Sequence, residues 1–244
     1  MTPSNRIIAR LAEEIKRANM APLLIVHGGG SFGHPFARKY RVAEGYKRPE
    51  QLFGFSKTRQ AMAALNKLVV YALVERDVPA VALQPSAFIW TRGGRIVDFD
   101  RSLILRMLDM GFVPVLYGDA VLDEIQGFAI LSGDQLIANL AVSLGTSARV
   151  IVCTDVDGLY TSDPKLNSDA KFIGRIRLGE LRERLGGIGG SVAMDVTGGM
   201  QGKIAELIPA LEKGVGIKII NAKKTNRLYK ALTSQRVKGT EVTF

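Results

Sequence analysis

The sequence predicts an α/β protein, a three-layer α/β/α sandwich around a mostly parallel central sheet. Three observations carry this. Short apolar, β-branched runs recur along the 244 residues. They lack the alternation of a strand with one wet face, so they read as strands buried on both sides. Between them lie stretches whose apolar residues are spaced like one face of a helix. The glycines, aspartates and lysines that carry chemistry gather at the ends of the runs, where an open α/β sheet binds its ligands.

Taken in order, residues 4–19 read as a helix, capped by Ser4 or Asn5, with Ile7, Ile8, Leu11 and Ile15 on one face. "PLLIVH" (22–27) is a buried strand that runs into three glycines, Gly28 to Gly30. A long helical pattern covers about 50–76, and "PAVALQ" (79–84) is the second buried strand. "GGRIVDFD" (93–100) reads as a hairpin or a short strand with a turn. Residues 101–110 are helical and "FVPVLYGD" (112–119) is the third buried strand. A helix over 133–144 and a strand over 148–158, "ARVIVCTDVDG", follow. Helices over 178–185 and 200–213, a strand over 216–222, a helix over 225–233 and a last strand over 239–244 complete the pattern. The alternation implies right-handed crossovers with helices on both faces. No clean linker interrupts it, so residues 1–244 read as one domain with two lobes. The glycine-rich stretch 179–203 reads as a mobile loop.

Composition narrows the class. With 47% apolar residues the chain can bury a sizeable core. Its one cysteine, Cys153, excludes an intrachain disulfide and fits a reducing cytoplasm. The N-terminal residues are amphipathic and interrupted by charge, unlike a signal peptide, and no apolar stretch reaches the ~18 residues that span a bilayer. The net charge of +10 comes from 33 scattered Lys and Arg, and aromatics are only 7%. Without basic–aromatic interleaving, the charge fits a solvated surface or small phosphate ligands better than nucleic acid or membrane.

Glycines after a strand let backbone N–H groups approach a phosphate, and a helix N-terminus adds partial positive charge. "GGGSFGH" (28–34) and the pair Gly198–Gly199 followed by Lys203 suggest two such turns, for two phosphate groups. There is no G-x-x-x-x-G-K-[ST] loop, no HExxH, no cysteine cluster and no G-x-S-x-G elbow around Ser31. Gly28, Gly30 and Gly33 do spell G-x-G-x-x-G, but the acidic residue near the expected distance, Glu50, starts a helix instead of ending a strand.

Four motifs stand in order: "VHGGG" (26–30), "GDQLIANLA" (133–141), "TDVDGLYTSDPK" (154–165) and "TGGMQGK" (197–203). Together they resemble the amino acid kinase family over nearly the whole chain. Its members transfer the γ-phosphoryl group of ATP to a carboxylate, carbamate or phosphate. The resemblance implies the amino acid kinase fold, with an acceptor-binding part over about 1–130 and a nucleotide-binding part over about 131–244. It also implies ATP with Mg²⁺ on its phosphates, no dedicated protein metal site, a cytoplasmic location and a homodimer. Within the family, "GGGSFGH" with its histidine is similar to the isopentenyl phosphate kinases and to their relatives the fosfomycin kinases. The expected reaction is phosphorylation of isopentenyl phosphate to the diphosphate. The alternatives are a phosphonate kinase, or a nucleotide- or phosphate-binding module with impaired catalysis.

The resemblance sets Gly29, His34 and Gly133 against the acceptor. It sets Gly30, Asp155, Gly158, Gly199 and Lys203 against ATP, and gives Lys203, Asp134 and His34 the catalytic work. The chemistry suits these types. A phosphate monoester has its second pKa near ~6, close to that of imidazole, so His34 can share a proton with it. Asp134 would orient lysines, although a helix N-cap role accounts for an aspartate there as well. Asp155 and Asp157 would border the nucleotide, or only shape a strand-end turn. Lys165 would approach the phosphates from the loop over the adenosine, and Lys203 would meet charge on the transferred group. His27 reads as structural. Phe53, Phe55, Met62 and Ile89 are candidates for an apolar tail pocket and equally good core residues.

In one respect the chain departs from the family. Members begin with a strand ending in a lysine and two glycines, whereas "MTPSNRIIA" matches the helix that follows it. Two explanations compete, a start upstream of Met1 or a natural or engineered fragment with poor activity; the first predicts weak activity for the 244 residues and strong activity for a version longer by about 15–20 residues.

Overall fold

A computed structural model describes residues 5–97, 99–145, 147–162, 164, 166–186 and 198–243. The chain divides into two compact units, Met1–Leu136 and Ile137–Phe244.

The first unit runs α1 (Asn5–Ala18), β1 (Ile25–His27), α2 (Gly30–Lys39), α3 (Glu50–Val74), β2 (Ala80–Ala82), β3 (Thr91–Arg92), β4 (Arg95–Ile96), α4 (Ser102–Asp109), β5 (Val113–Tyr117), β6 (Asp119–Asp123) and β7 (Gly127–Leu131). It ends in the first turn of α5 (Gly133–Leu144). β1, β5 and β2 form a parallel sheet with β5 in the middle. All five residues of β5 are buried, as its unbroken apolar run requires. Ile8, Ile15 and Ala12 of α1 pack with Leu73, Val78 and Val115, which uses the apolar face read from the sequence.

Two features of this unit were not expected. After β5 the chain bends at Gly118 and forms an antiparallel hairpin, β6 with β7, where no strand was predicted. Gly127, at φ +80°, sits in the conformation that such a turn asks of a glycine. β4, β3, β6 and β7 make a mixed sheet in that order. The Asp123 carboxylate holds both of its turns. It accepts from Gly93 N (3.1 Å), Gly94 N (2.7 Å), Ile125 N (2.9 Å), Gln126 N (3.0 Å) and Thr91 Oγ1 (2.7 Å). The second feature is the helix α2, which starts at Gly30 within "GGGSFGH", directly after the expected glycine turn. Glycine is a poor helix former. Here its lack of a side chain lets α2 lie close on α3, because a Cβ at Gly33 would stand 2.7 Å from Met62 Sδ.

The second unit continues α5 and adds β8 (Arg149–Thr154), β9 (Leu159–Tyr160), β10 (Phe172–Ile173), β11 (Arg175–Arg177), α6 (Leu178–Gly186), α7 (Gly198–Glu212), β12 (Gly216–Asn221), α8 (Arg227–Leu232) and β13 (Gly239–Thr243). Its main sheet has the order β11-β13-β12-β8 and is parallel except where β13 meets β12. Ile204, Leu207 and Leu211 of α7 pack with Val150, Val152, Ile217 and Ile219 of this sheet. The α/β class expected from the sequence holds, and among the described residues its strands form one parallel and two mixed sheets and a two-stranded ribbon, β9 with β10. The expected loop at 179–203 is helical at both ends, because Leu178 and Leu181 are drawn into the core. Residues 187–197 lie outside the described residues.

Candidate active site

In the first unit, three chain turns meet at the ends of β1 and β5. Gly118 N donates to the His27 carbonyl at 3.0 Å. A Cβ at Gly118 would stand 3.0 Å from Gly133 N, and one at Gly133 would stand 3.2 Å from the His27 carbonyl oxygen. Glycine at both positions lets the end of β1, the end of β5 and the start of α5 close to backbone contact. Gly133 and Asp134 therefore begin α5 beside the turn that carries Gly28 to Gly30. Gln135 ties this helix start to the β3–β4 hairpin, accepting from Ile96 N at 2.8 Å and donating to the Gly94 carbonyl at 3.1 Å.

The three glycines have three different surroundings. Gly28 meets nothing within 4 Å of a Cβ position. Gly29 is the N-cap of α2, and a Cβ there would stand 3.0 Å from Met62 Sδ and 3.5 Å from His34 Cδ2. Gly30 has φ +46°, which a side chain tolerates poorly. The first N–H groups of a helix have no partner within it, so the start of α2 is suited to an anion. His34 lies exposed on α2, four residues after Gly30 and so on the same helix face, and a helical side chain leans towards the N-terminus.

Around His27, read as structural, two residues without a role in the sequence reading, Tyr117 and Asn66, complete this part. His27 and Tyr117 are partners in the parallel register of β1 and β5, and their rings stack at 5.4 Å. Asn66 of α3, 2% exposed, places Nδ2 at 3.1 Å from His27 Nε2. Burial lowers the His27 pKa, against a smaller opposing effect of its hydrogen bond to Gly28. Burial, with Asp119 nearby, pushes the Tyr117 phenol up to about 12, although Arg59 acts the other way. Asp119 itself, 2% exposed, is raised by burial even though it accepts from Ser86 N at 3.2 Å. The signal for Asn66 was present, since an asparagine on the inner face of a long helix needs a buried partner.

The four tail-pocket candidates do not share one environment. Met62 and Ile89 are each 2% exposed, and Met62 backs Gly29 and Gly33. Phe55 packs with Val42, Ala120 and Phe128, while Phe53 is 70% exposed.

In the second unit, the end of β8 carries a network of charges. Asp157 Oδ1 accepts from Arg227 at 2.7 Å and Asn221 at 3.0 Å, and its Oδ2 pairs with Lys238 at 2.9 Å. Burial alone would raise its pKa, but Lys238, Arg227 and Asn221 outweigh that and bring it down to about 2. Asp155 is more exposed and pairs with Lys223 at 3.5 Å. Gly158, at φ +150°, leaves no room for a Cβ, which would stand 2.9 Å from Thr240 N and 3.0 Å from Phe172 Cε2. The basic partners come from "NAKKTNR" (221–227) and from Lys238, a concentration of donors the sequence reading did not connect with the aspartates. α7 begins at Gly198, so Gly198 and Gly199 belong to its first turn and not to a loop before it. Gly199 is exposed with open space around it, and Lys203 follows four residues on, half-buried and on the same face. Lys165 lies outside the described residues.

Each unit of this α/β protein thus opens a helix on glycines, with His34 one turn into α2 in the first and Lys203 one turn into α7 in the second. The chain belongs to the amino acid kinase family, whose model matches residues 1–221. It is 46% identical to the isopentenyl phosphate kinase of Methanothermobacter thermautotrophicus, over 97% of this chain and 90% of that protein. It is 37% identical to the isopentenyl phosphate kinase of Methanocaldococcus jannaschii, again over 97% and 90% of the two chains. An X-ray structure of an isopentenyl phosphate kinase matches with a TM-score of 0.86 and 42% identity, covering 98% of this chain and 91% of the other.

Proposed function

We propose that this chain transfers the γ-phosphoryl group of ATP to the phosphate of isopentenyl phosphate, giving isopentenyl diphosphate and ADP. The observation that carries this is the 46% identity to an isopentenyl phosphate kinase over 97% of the chain. The placement of His34 one turn above Gly30 on α2 supports it.

In this reading the acceptor phosphate rests on the N-terminal amides of α2, by Gly29 and Gly30. His34 donates to one of its oxygens and Gly133 lines the same turn. In the second unit Gly199 is assigned to the ATP phosphates, with Asp155 and Gly158 bordering the nucleotide. Lys203 meets the charge that spreads over the equatorial oxygens in a loose transition state, and Asp134 holds cationic groups in line. Little covalent work falls to the protein, so rate comes from orientation and from preset positive charge. Among the described residues no three His, Cys, Asp or Glu side chains gather into a metal cage. Mg²⁺ is assigned to the ATP phosphates with which it arrives, as the family resemblance implies, and no step is routed through it. No helix among the described residues is long and apolar enough to cross a membrane. A cytoplasmic homodimer acting on small molecules completes the reading, as the family resemblance implies.

The test is ADP release with isopentenyl phosphate, with fosfomycin and with no acceptor. ADP release that needs isopentenyl phosphate is expected; release with fosfomycin alone would replace this reading with a phosphonate kinase.

A further inference from the structure

The His27 ring is engaged at both nitrogens. Nε2 stands 3.1 Å from Asn66 Nδ2, and Nδ1 stands 3.1 Å from the carbonyl oxygen of Gly28. The same Asn66 Nδ2 donates to the Val115 carbonyl at 3.3 Å. A carbonyl only accepts, so Val115 fixes which end of the Asn66 amide is its NH₂ group. One hydrogen of that group is spent on Val115 and the other faces His27 Nε2. Nε2 must then accept. In a neutral imidazole the proton therefore sits on Nδ1, which donates to Gly28. The direction of every hydrogen bond from Val115 to Gly28 is thereby set.

This has a consequence for the peptide between Gly28 and Gly29. In a trans peptide the C=O and the N–H point in opposite directions. Holding the Gly28 carbonyl on the imidazole turns the Gly29 N–H away from it. Gly28 has no side chain, and nothing lies within 4 Å of where a Cβ would be. Two adjacent glycines would otherwise leave the tilt of this peptide free. Stacking on Tyr117 explains a flat ring at position 27, but a phenylalanine would stack as well. It does not explain two polar contacts with a fixed direction.

We propose that His27, backed by Asn66, is a positioning residue that holds the Gly28–Gly29 peptide so that the Gly29 N–H joins the N-terminal amides of α2 on the phosphate. This rests on the phosphoryl-transfer reading above. His27 touches neither substrate. Its effect lies in presetting one donor, and a preset donor counts most where charge develops, in the transition state. Loss of the contact should lower kcat more than it raises KM.

Two substitutions separate this from packing. The amide nitrogen of Asn overlays Nδ1 of a histidine, whereas that of Gln overlays Nε2. His27→Asn should keep kcat within about threefold, and His27→Gln should lose about 10- to 100-fold in kcat with KM for the acceptor moved less than about threefold. Equal kcat for the two variants, whether both keep activity or both lose it, would overturn the proposal. Long-range ¹H–¹⁵N spectra of the unsubstituted chain give a second measurement that no folding defect can spoil. A His27 ring protonated on Nδ1 supports the proposal, and one protonated on Nε2 overturns it. Absence of any turnover of isopentenyl phosphate by the unsubstituted chain would overturn the functional reading. Normal turnover with indistinguishable variants would overturn the positioning role alone.

Discussion

His27 and Tyr117 sit opposite each other in the parallel pairing of β1 with β5, and their rings stack 5.4 Å apart at 21°. A ring held there, with Asn66 against its edge, is held neutral. The unfolded chain takes up a proton near pH 6.5, whereas burial lowers the folded value. The folded state therefore binds fewer protons in that interval, and stability falls as pH drops from about 6.5 towards the lowered value. Above 6.5 the contribution is complete. Urea unfolding at a series of pH values should show this decline, and His27→Asn should flatten it. An unchanged slope in the variant would place the titration elsewhere.

His34 is expected to act on the acceptor alone. His34→Ala should lower kcat/KM for isopentenyl phosphate by ~10²-fold, the scale of losing one donor to a developing charge. ATP affinity, measured by calorimetry, should stay within about twofold. If ATP binding fell in parallel with turnover, the assignment of His34 to the acceptor would be wrong.

Asp157 behaves as a structural carboxylate. Its pKa of about 2, against an ordinary 3.8, means that its pairing with Lys238, Arg227 and Asn221 stabilises the folded state above about pH 4 and is lost as pH falls towards 2. The shift corresponds to about 2 kcal/mol at neutral pH. Asp157→Asn should cost about that much at pH 7, about half as much at pH 3 and little at pH 2, as read from denaturant midpoints. A penalty independent of pH would mean that the charge is not what the network uses.

Much of this was legible in the sequence because burial and helix periodicity leave strong traces. The apolar run at 112–119 became β5, and the long pattern from Glu50 became α3. The hairpin of β6 and β7 was missed because "AVL" (120–122) is a short apolar run directly after "FVPVLYGD", so the bend at Gly118 is visible only in three dimensions. The helix α2, which starts at Gly30 directly after the glycine turn, was missed because glycine propensity argues against a helix, while the close packing on Met62 that favours one is a tertiary effect. The triplet motifs located the glycines. They could not show that His27 lies in register with Tyr117 or that Asn66, 39 residues away in sequence, reaches its ring. Likewise, the acidic strand end at 155–157 was visible, but its basic partners at 223, 227 and 238 come together only through the pairing of β12 with β8 and β13.

The identity of the product tests the central claim most directly. Incubation of the purified chain with ATP, Mg²⁺ and isopentenyl phosphate, followed by ³¹P NMR, should show one ADP formed for each isopentenyl diphosphate, with both new diphosphate resonances rising together. ATP left intact beside unchanged isopentenyl phosphate, or ADP formed without the isopentenyl diphosphate signals, would contradict the account.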